Sequence, residues 1–381
     1  MADFLHACSV GDPERVAALA AAGCDTAVTN NAGLTGLIMA ALSDFHSGCG
    51  SVATLGGVLD AGGADLEAKD KCGGTAFLIA CDQGDPESAA ALIEAGCDTA
   101  ATISAGQTGL IAAAAALSGS VATVQAVLDA GGADRESKEA REGCTAFLFA
   151  CVKGTPEIVT SLIEAGCDTA VTGSNGATGL MLAAACGSVT TVGAVLDAGG
   201  ADLEAKEGND HTAFLYACAK GDVEIVTSLI EAGCETAVTT SDGRTGLALA
   251  AASGSAATLG GVLEAGGADL EAKEATAGRT AFLMACVKRD PESAAALIEA
   301  GCDTAATTSA GQTGLMMAVS SDSLATVQAL LDAGGLDLEV RDKDGSTVFL
   351  RACWSAPQRL SRRWLPRGVT QPLRTAPAGR G

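Results

Sequence analysis

Residues 75–100 read TAFLIACDQGDPESAAALIEAGCDTA, and the string returns almost unchanged at 280–305 as TAFLMACVKRDPESAAALIEAGCDTA. Looser copies start at Thr145 and Thr212. Within it, Thr75 is placed to cap a helix with its hydroxyl, because an exposed helix start leaves backbone N–H groups without partners. Phe77, Leu78, Ala80 and Cys81 then fall on one apolar face at helical spacing. Gly84 marks the end of that helix, as a residue tolerant of left-handed geometry. Asp85-Pro86-Glu87 opens a second helix, with proline in its first turn and acids near the positive end of its dipole. Leu92 and Ile93 carry the second apolar face, and Gly96 ends it. The polar, glycine-marked run that follows, CDTAATISAGQ, suits a hairpin-like loop leading to the next threonine.

Two kinds of unit alternate along the chain. The first kind starts near Ala2 and at Thr75, Thr145, Thr212, Thr280 and Thr347, the last being truncated. The second starts at Thr35, Thr108, Thr178, Thr245 and Thr313, typified by TGLMLAAACGSVTTVGAVLDAGGADLEAK. From the first kind to the second the step is always 33 residues, whereas the return step varies from 34 to 40. One such helix pair cannot bury enough surface alone, so adjacent units must supply the other wall. This predicts an all-α array over residues 1–353, followed by an Arg- and Pro-rich tail over 354–381.

The period of 33 and this grammar resemble the ankyrin repeat. Gly106-Gln107-Thr108 and Gly278-Arg279-Thr280 match the family's G-x-T opening, Ala80-Cys81 its small pair, and Leu92 to Asp98 its L-L-x-x-G-A-D close. The resemblance extends over residues 1 to about 353 and implies a solenoid of helix-turn-helix repeats joined by β-hairpin-like loops. Two departures stand out. The family's T-P-L-H tetrad is T-A-F-L or T-G-L-x here, so apolar contact from Leu78, Leu148, Leu215 and Leu283 is expected where the family uses histidine hydrogen bonds. Second-kind units also carry an extra glycine, as in Ala198-Gly199-Gly200-Ala201-Asp202, expected to bulge the end of the second helix and soften those units. Glycine pairs inside that helix, Gly56-Gly57 and Gly260-Gly261, either weaken it by about 1 kcal/mol per residue or permit close helix approach.

Composition narrows the function. The formal net charge is −23, although residues 355–381 hold six arginines and no acid. Such a body repels phosphate backbones, which excludes ordinary nucleic-acid binding. No run of apolar residues is long enough for a transmembrane helix. The N-terminal MADFLHACSVGD lacks the basic and apolar regions of a secretory signal, so a cytoplasmic location is expected, with the nucleus also open. Most of the 15 cysteines recur in two slots, AC and AGC, where a small apolar side chain is wanted. Cys49, Cys72 and Cys144 fall outside those slots and are expected to be the exposed thiols.

No catalytic or metal constellation emerges. The three histidines, His6, His46 and His211, have no partner at metal-binding spacing, and His46 with Cys49 would need two further ligands. Phosphate loops, nucleophile elbows and H-E-x-x-H motifs are absent. Carboxylates such as Asp85 and Glu87 recur once per unit, which marks helix capping rather than acid–base chemistry. The chain is therefore read as a non-enzyme without cofactors, and as a monomer.

One position varies freely inside the near-invariant T-A-F-L-x-A-C. It is occupied by His6, Ile79, Phe149, Tyr216, Met284 and Arg351. Helical geometry turns it away from the face of Phe77 and Cys81. Drift at an exposed site would explain the variation. So would a stripe of anchors, Ile79, Phe149, Tyr216 and Met284, holding a partner. In arrays of the family that this chain resembles, the first helices and hairpin tips form the concave docking face. The acidic hairpin residues Asp70, Glu139, Glu142, Asp210, Asp242 and Glu274 would favour a basic partner segment. Two roles follow from these readings: a protein-interaction scaffold, or the targeting region of a larger kinase or ubiquitin ligase. In the tail, both tryptophans and four of the eight prolines cluster within the last 28 residues. That composition fits a basic disordered segment or an altered reading frame, and a helix over 357–365 would set Leu360 and Trp364 four apart.

Overall fold

The computed structural model describes residues 2–42, 51–116, 120–334 and 336–355. The protrusion LSDFHSGCG with His46 and Cys49, and the tail with Leu360 and Trp364, lie outside the described residues apart from Leu42 and the helical turn to Ser355. Among the described residues there are twenty-one helices and no strand; short antiparallel bridges join Thr29 to Thr35, Thr102 to Thr108, Thr172 to Thr178, Thr239 to Thr245 and Thr307 to Thr313. Each bridge closes a hairpin-like loop just before a capping threonine. The chain divides into two compact units: Met1–Ala217 with Glu224–Glu235, and Cys218–Val223 with Thr236–Gly381.

Within each unit the helices come in antiparallel pairs, such as Ala76–Gln83 with Pro86–Glu94 and Ala281–Lys288 with Pro291–Glu299. First helices pack on first helices of the adjacent pair, and second on second. The local signals act as their chemistry requires. Thr75, Thr145, Thr178, Thr245, Thr280 and Thr313 each accept a hydrogen bond from the amide three residues on, at 3.1–3.4 Å. Gly84 and Gly154 end their helices in the left-handed region, at φ 68° and 66°. Asp85 caps the second helix by accepting from Glu87 and Ser88. In second-kind units Ser255 accepts from the Thr258 amide, and the two hydroxyls lie 2.9 Å apart. Thr258 is fully buried there.

The contact that joins a first-kind unit to the second-kind unit after it is a ring over a missing side chain. Phe4, Phe77, Phe147 and Phe282 are all at most 1% exposed. Each ring lies over the glycine directly after the next capping threonine. A Cβ at Gly109 would stand 2.4 Å from Phe77 Cε1, at Gly179 2.4 Å from Phe147 Cε1, at Gly314 2.6 Å from Phe282 Cε1, and at Gly36 2.6 Å from Phe4 Cε1. The AC-slot thiol adds a second wall: Cys151 Sγ would lie 3.1 Å from a Cβ at Gly179. Leu78, Leu148, Leu215 and Leu283 are buried beside these rings in sequence, in keeping with apolar packing at the family's histidine position.

The extra glycine does form a bulge, and the bulge is tied down. Gly62 and Gly63 sit at φ +71° and +76°, and Gly199 and Gly200 at +70° and +78°. The carbonyls of Gly62, Gly199 and Gly266 accept the hydroxyls of Thr26, Thr169 and Thr236 from the preceding unit, at 3.1, 3.3 and 2.8 Å. The interior glycines are different. A Cβ at Gly56, Gly260 or Gly261 would meet nothing within 4 Å, and at Gly57 only ordinary contacts with Val16 and Pro13. Close helix approach therefore does not explain these pairs, which leaves their cost in helix propensity uncompensated by packing.

Loop tips are joined by backbone hydrogen bonds from unit to unit. Ala140 N donates to Ala105 O at 2.8 Å, Ser174 N to Glu142 O at 2.7 Å and Gly208 N to Asn175 O at 3.0 Å. In the second compact unit Ala275 N donates to Asp242 O at 2.8 Å, Ser309 N to Ala277 O at 2.7 Å and Lys343 N to Ala310 O at 3.0 Å. In the same loops, nearer the ends of the second helices, glutamates reach across: Glu67, Glu136, Glu204 and Glu271 accept from the amides of Asp98, Asp168, Glu235 and Asp303 at 2.6–2.9 Å. Backbone groups that a loop would otherwise leave to water are thus used to fix the spacing between neighbours.

Candidate functional site

The first helices carry one variable position four residues after the capping threonine. Ile79, Phe149 and Tyr216 occupy it in the first compact unit and are half-buried, while the Phe, Leu, Ala and Cys around them are buried. Met284 differs: it is only 7% exposed and belongs to the core of its helix layer. The cause lies in its flanks. The equivalent positions on the adjoining helices hold Leu249 and Met317, both buried, whereas Phe149 is flanked by Ala112 and Leu182.

The hairpin acids divide in the same way. Glu142 and Asp210 are exposed, Asp70 is half-buried, and Asp242 is half-buried with Arg244 Nε 3.0 Å away. Glu274 and Glu139 do not face a partner at all, being 3% and 8% exposed. Glu274 accepts from the amides of Thr276 and Ala277 at 2.8 Å each and from Arg279 at 3.4 Å. Glu139 accepts from Arg141, Glu142 and Cys144 in the same manner. Burial pushes both carboxyls up, but the converging loop amides outweigh it and hold both below the usual glutamate value. They are built into the loops.

A stability prediction follows from Glu274. Its folded-state pKa is depressed, so its contribution is present above the unfolded-state value, about 4.3, and is lost as pH falls through the lower folded value. Replacing Glu274 with Ala strands three loop amides and should cost about 2 kcal/mol at pH 7. The same variant should show a weaker loss of stability between pH 5 and 3 than the parent. Urea midpoints across that range test both parts, and an unchanged pH slope would refute the assignment.

Of the three cysteines expected to be exposed, Cys72 is exposed, Cys49 lies outside the described residues, and Cys144 is 6% exposed. Burial, then the charges of Glu142 and Glu139, push the Cys144 thiol up, so it is a packing residue and not the exposed thiol expected. The slotted thiols behave alike, with Cys97 and Cys302 pushed up to about 12, in both cases chiefly by burial. Among the described residues no group of three or more His, Cys, Asp or Glu side chains could hold a metal ion, and no helix is long and apolar enough to cross a membrane.

Several residues absent from the sequence reading complete the site. Tyr216 stacks near His211, with ring centroids 4.9 Å apart, and its hydroxyl bonds to Glu207, whose carboxylate lies 3.4 Å from His211 Nδ1. Around Ile79 the surface opens into a cavity of about 180 Å³ between two hairpins and the first helix, where Asp82, Ile103 and Gln107 join Asp70. The signal for this notch was in the sequence: the second-kind helix that follows places only Ala112 where its counterparts carry Met39 and Leu182.

The stretch 110–274, as 110–207 and 180–274, matches the family model described as ankyrin repeats (3 copies). No curated protein sequence matches the chain. The same capped helix pairs, glycine-marked loops and 33-residue step continue on both sides of the matched stretch. Residues 110–274 are ankyrin repeats, and the helix pairs on either side of them follow the same pattern.

Proposed function

We propose that this chain is a non-catalytic protein-interaction scaffold, which takes a partner segment along the first helices and hairpin loops. One observation carries the reading. Within a helix whose sequence is otherwise nearly fixed, the single freely varied position is also the half-exposed one, and it holds Ile79, Phe149 and Tyr216. Large apolar and aromatic side chains kept partly in water at regular spacing are typical anchors. Acidic loops of the same compact unit, with Asp70, Glu142 and Asp210, suit a partner with a basic segment, and the net charge of −23 disfavours nucleic acid. We place the activity in a monomer in the cytoplasm or nucleus, with the family's general role in protein binding as support.

The test is affinity capture with the full chain beside the double variant Phe149→Ser, Tyr216→Ser. Proteins held by the parent should be lost from the variant by at least about thirty-fold in affinity, as for two anchors worth about 1 kcal/mol each or more. Thermal unfolding should stay within about 2 °C of the parent, because both side chains are partly solvated already. An unfolded variant would instead make them core residues. Retention of every captured protein by a folded variant would remove the proposed face.

A further inference from the structure

Each first-kind unit that opens on a threonine carries a carboxylate five or six residues before it, and these carboxylates meet different fates. Six residues before the threonine, Glu139 and Glu274 spend both oxygens on amides of their own loops. Five residues before it, the carboxylate keeps an oxygen for the side chain four residues after the threonine. Glu207 is reached by Tyr216 and lies 3.4 Å from His211. Asp342 is reached by Arg351: Oδ2 accepts from Nε at 2.7 Å and lies 2.5 Å from Nη2. Asp342 Oδ1 meanwhile accepts from the Asp344 and Ser346 amides at 3.0 and 2.8 Å.

Asp70 reproduces the Asp342 arrangement with its guanidinium missing. Its Oδ1 accepts from the amides of Cys72 and Gly74, the same two offsets, at 2.8 Å each. Its Oδ2 takes no hydrogen bond or ion pair among the described residues, because the side chain four residues after Thr75 is Ile79, which has nothing to donate. The space that Arg351 fills in its own unit is here the cavity of about 180 Å³, floored by Leu78 and Ile79, walled by Ile103 and Gln107, and with Asp82 as a second carboxylate at its rim.

We infer that this cavity is a receptor for one arginine side chain of a partner protein, with the guanidinium on Asp70 Oδ2 and the aliphatic stem over Ile79 and Ile103. The inference rests on the scaffold reading above and adds to it the residue that is recognised. Arginine suits the cavity better than lysine for two reasons. A planar guanidinium makes paired bonds to a fixed carboxylate, as Arg351 does, and it is less strongly hydrated than an ammonium. The side-chain amide of Gln107 and the Asp82 carboxylate offer acceptors for its remaining N–H groups.

The experiment titrates the full chain, labelled at isoleucine methyl groups, with N-acetyl-L-arginine methylamide and with the lysine counterpart. Saturable shifts of the Ile79 and Ile103 methyl signals are expected with the arginine probe, at an affinity at least about fivefold better than with lysine. Asp70→Asn keeps the oxygen that holds the loop and loses the charge, so its spectrum should stay that of a folded chain while binding falls at least about tenfold. Ile79→Arg should abolish binding by filling the cavity from within. Equal titration of parent and Asp70→Asn, equal response to lysine, or shifts confined to other isoleucines would each overturn the inference. Partners captured by the parent provide the separation from the broader reading. If their retention depends on Phe149 and Tyr216 but ignores Asp70→Asn and Ile79→Arg, the scaffold stands and the arginine receptor falls.

Discussion

Replacing Gly179 with alanine is expected to destabilise the first compact unit by about 2–3 kcal/mol, a large effect for the addition of one methyl group. Alanine is ordinarily the better helix residue by close to 1 kcal/mol, so helix propensity alone predicts the opposite sign. The steric term decides. The new Cβ would stand 2.4 Å from Phe147 Cε1 and 3.1 Å from Cys151 Sγ. The ring has nowhere to retreat, since Phe147 is 1% exposed and Cys151 fully buried. Shortening the ring to leucine should therefore rescue: Phe147→Leu with Gly179→Ala is expected to recover about half of the loss, giving a coupling of at least about 1 kcal/mol in a double-mutant cycle. Urea unfolding of the four proteins measures it. Additive losses would mean that ring and glycine do not share a lock.

The repeating architecture was legible because its signals are local. Threonine before an apolar face, left-handed glycine after it and proline at the next helix start each act within a few residues, and each appears where expected. The ring-over-glycine contact was not read, because its two halves are 32 residues apart in Phe147 and Gly179. Taken alone, glycine after a capping threonine looks like a mildly poor helix residue. One trace of it was nevertheless on view. The step from first-kind to second-kind units is constant, while the reverse step absorbs insertions, and a close fit between ring and backbone tolerates no change of length. The constant step thus marks the tight junction.

The site was legible in part, for a related reason. Helical periodicity places Ile79, Phe149, Tyr216 and Met284 on one line, but exposure along that line depends on the bulk of side chains in neighbouring units. Ala112 leaves a notch beside Ile79, whereas Leu249 and Met317 bury Met284. The hairpin acids misled through chain length. Glutamate set six residues before the threonine wraps back onto its own loop, as in Glu274, while aspartate set five before it leaves one oxygen outward, as in Asp70. That difference of one methylene and one residue decides whether both oxygens are spent on the loop.

The same phenylalanine slot yields the second large effect, with opposite outcomes at two positions. Phe147→Ala removes a ring that is almost wholly buried and is expected to cost 3–5 kcal/mol, roughly, through lost burial and the cavity left beside Gly179. Phe349 occupies the equivalent place in the helix Val348–Ser355, yet it is 55% exposed. Among the described residues no glycine-opened helix lies over it, and its ring borders an open apolar hollow with Leu315, Val319 and Leu338. Phe349→Ala should therefore change stability by less than about 1 kcal/mol, since burial already forgone cannot be lost. Hydrogen exchange resolves the pair better than one melting temperature, because repeat arrays need not unfold as a whole. Protection should collapse across 145–200 in Phe147→Ala and stay at parent values there in Phe349→Ala. A large loss in both would show that sequence slot alone sets the energetics, and a small loss in both would deny that the buried ring carries the junction. The expected asymmetry follows if the phenylalanine draws its stabilising effect from the bare backbone that receives it, so that ring and glycine form one structural element divided between two units.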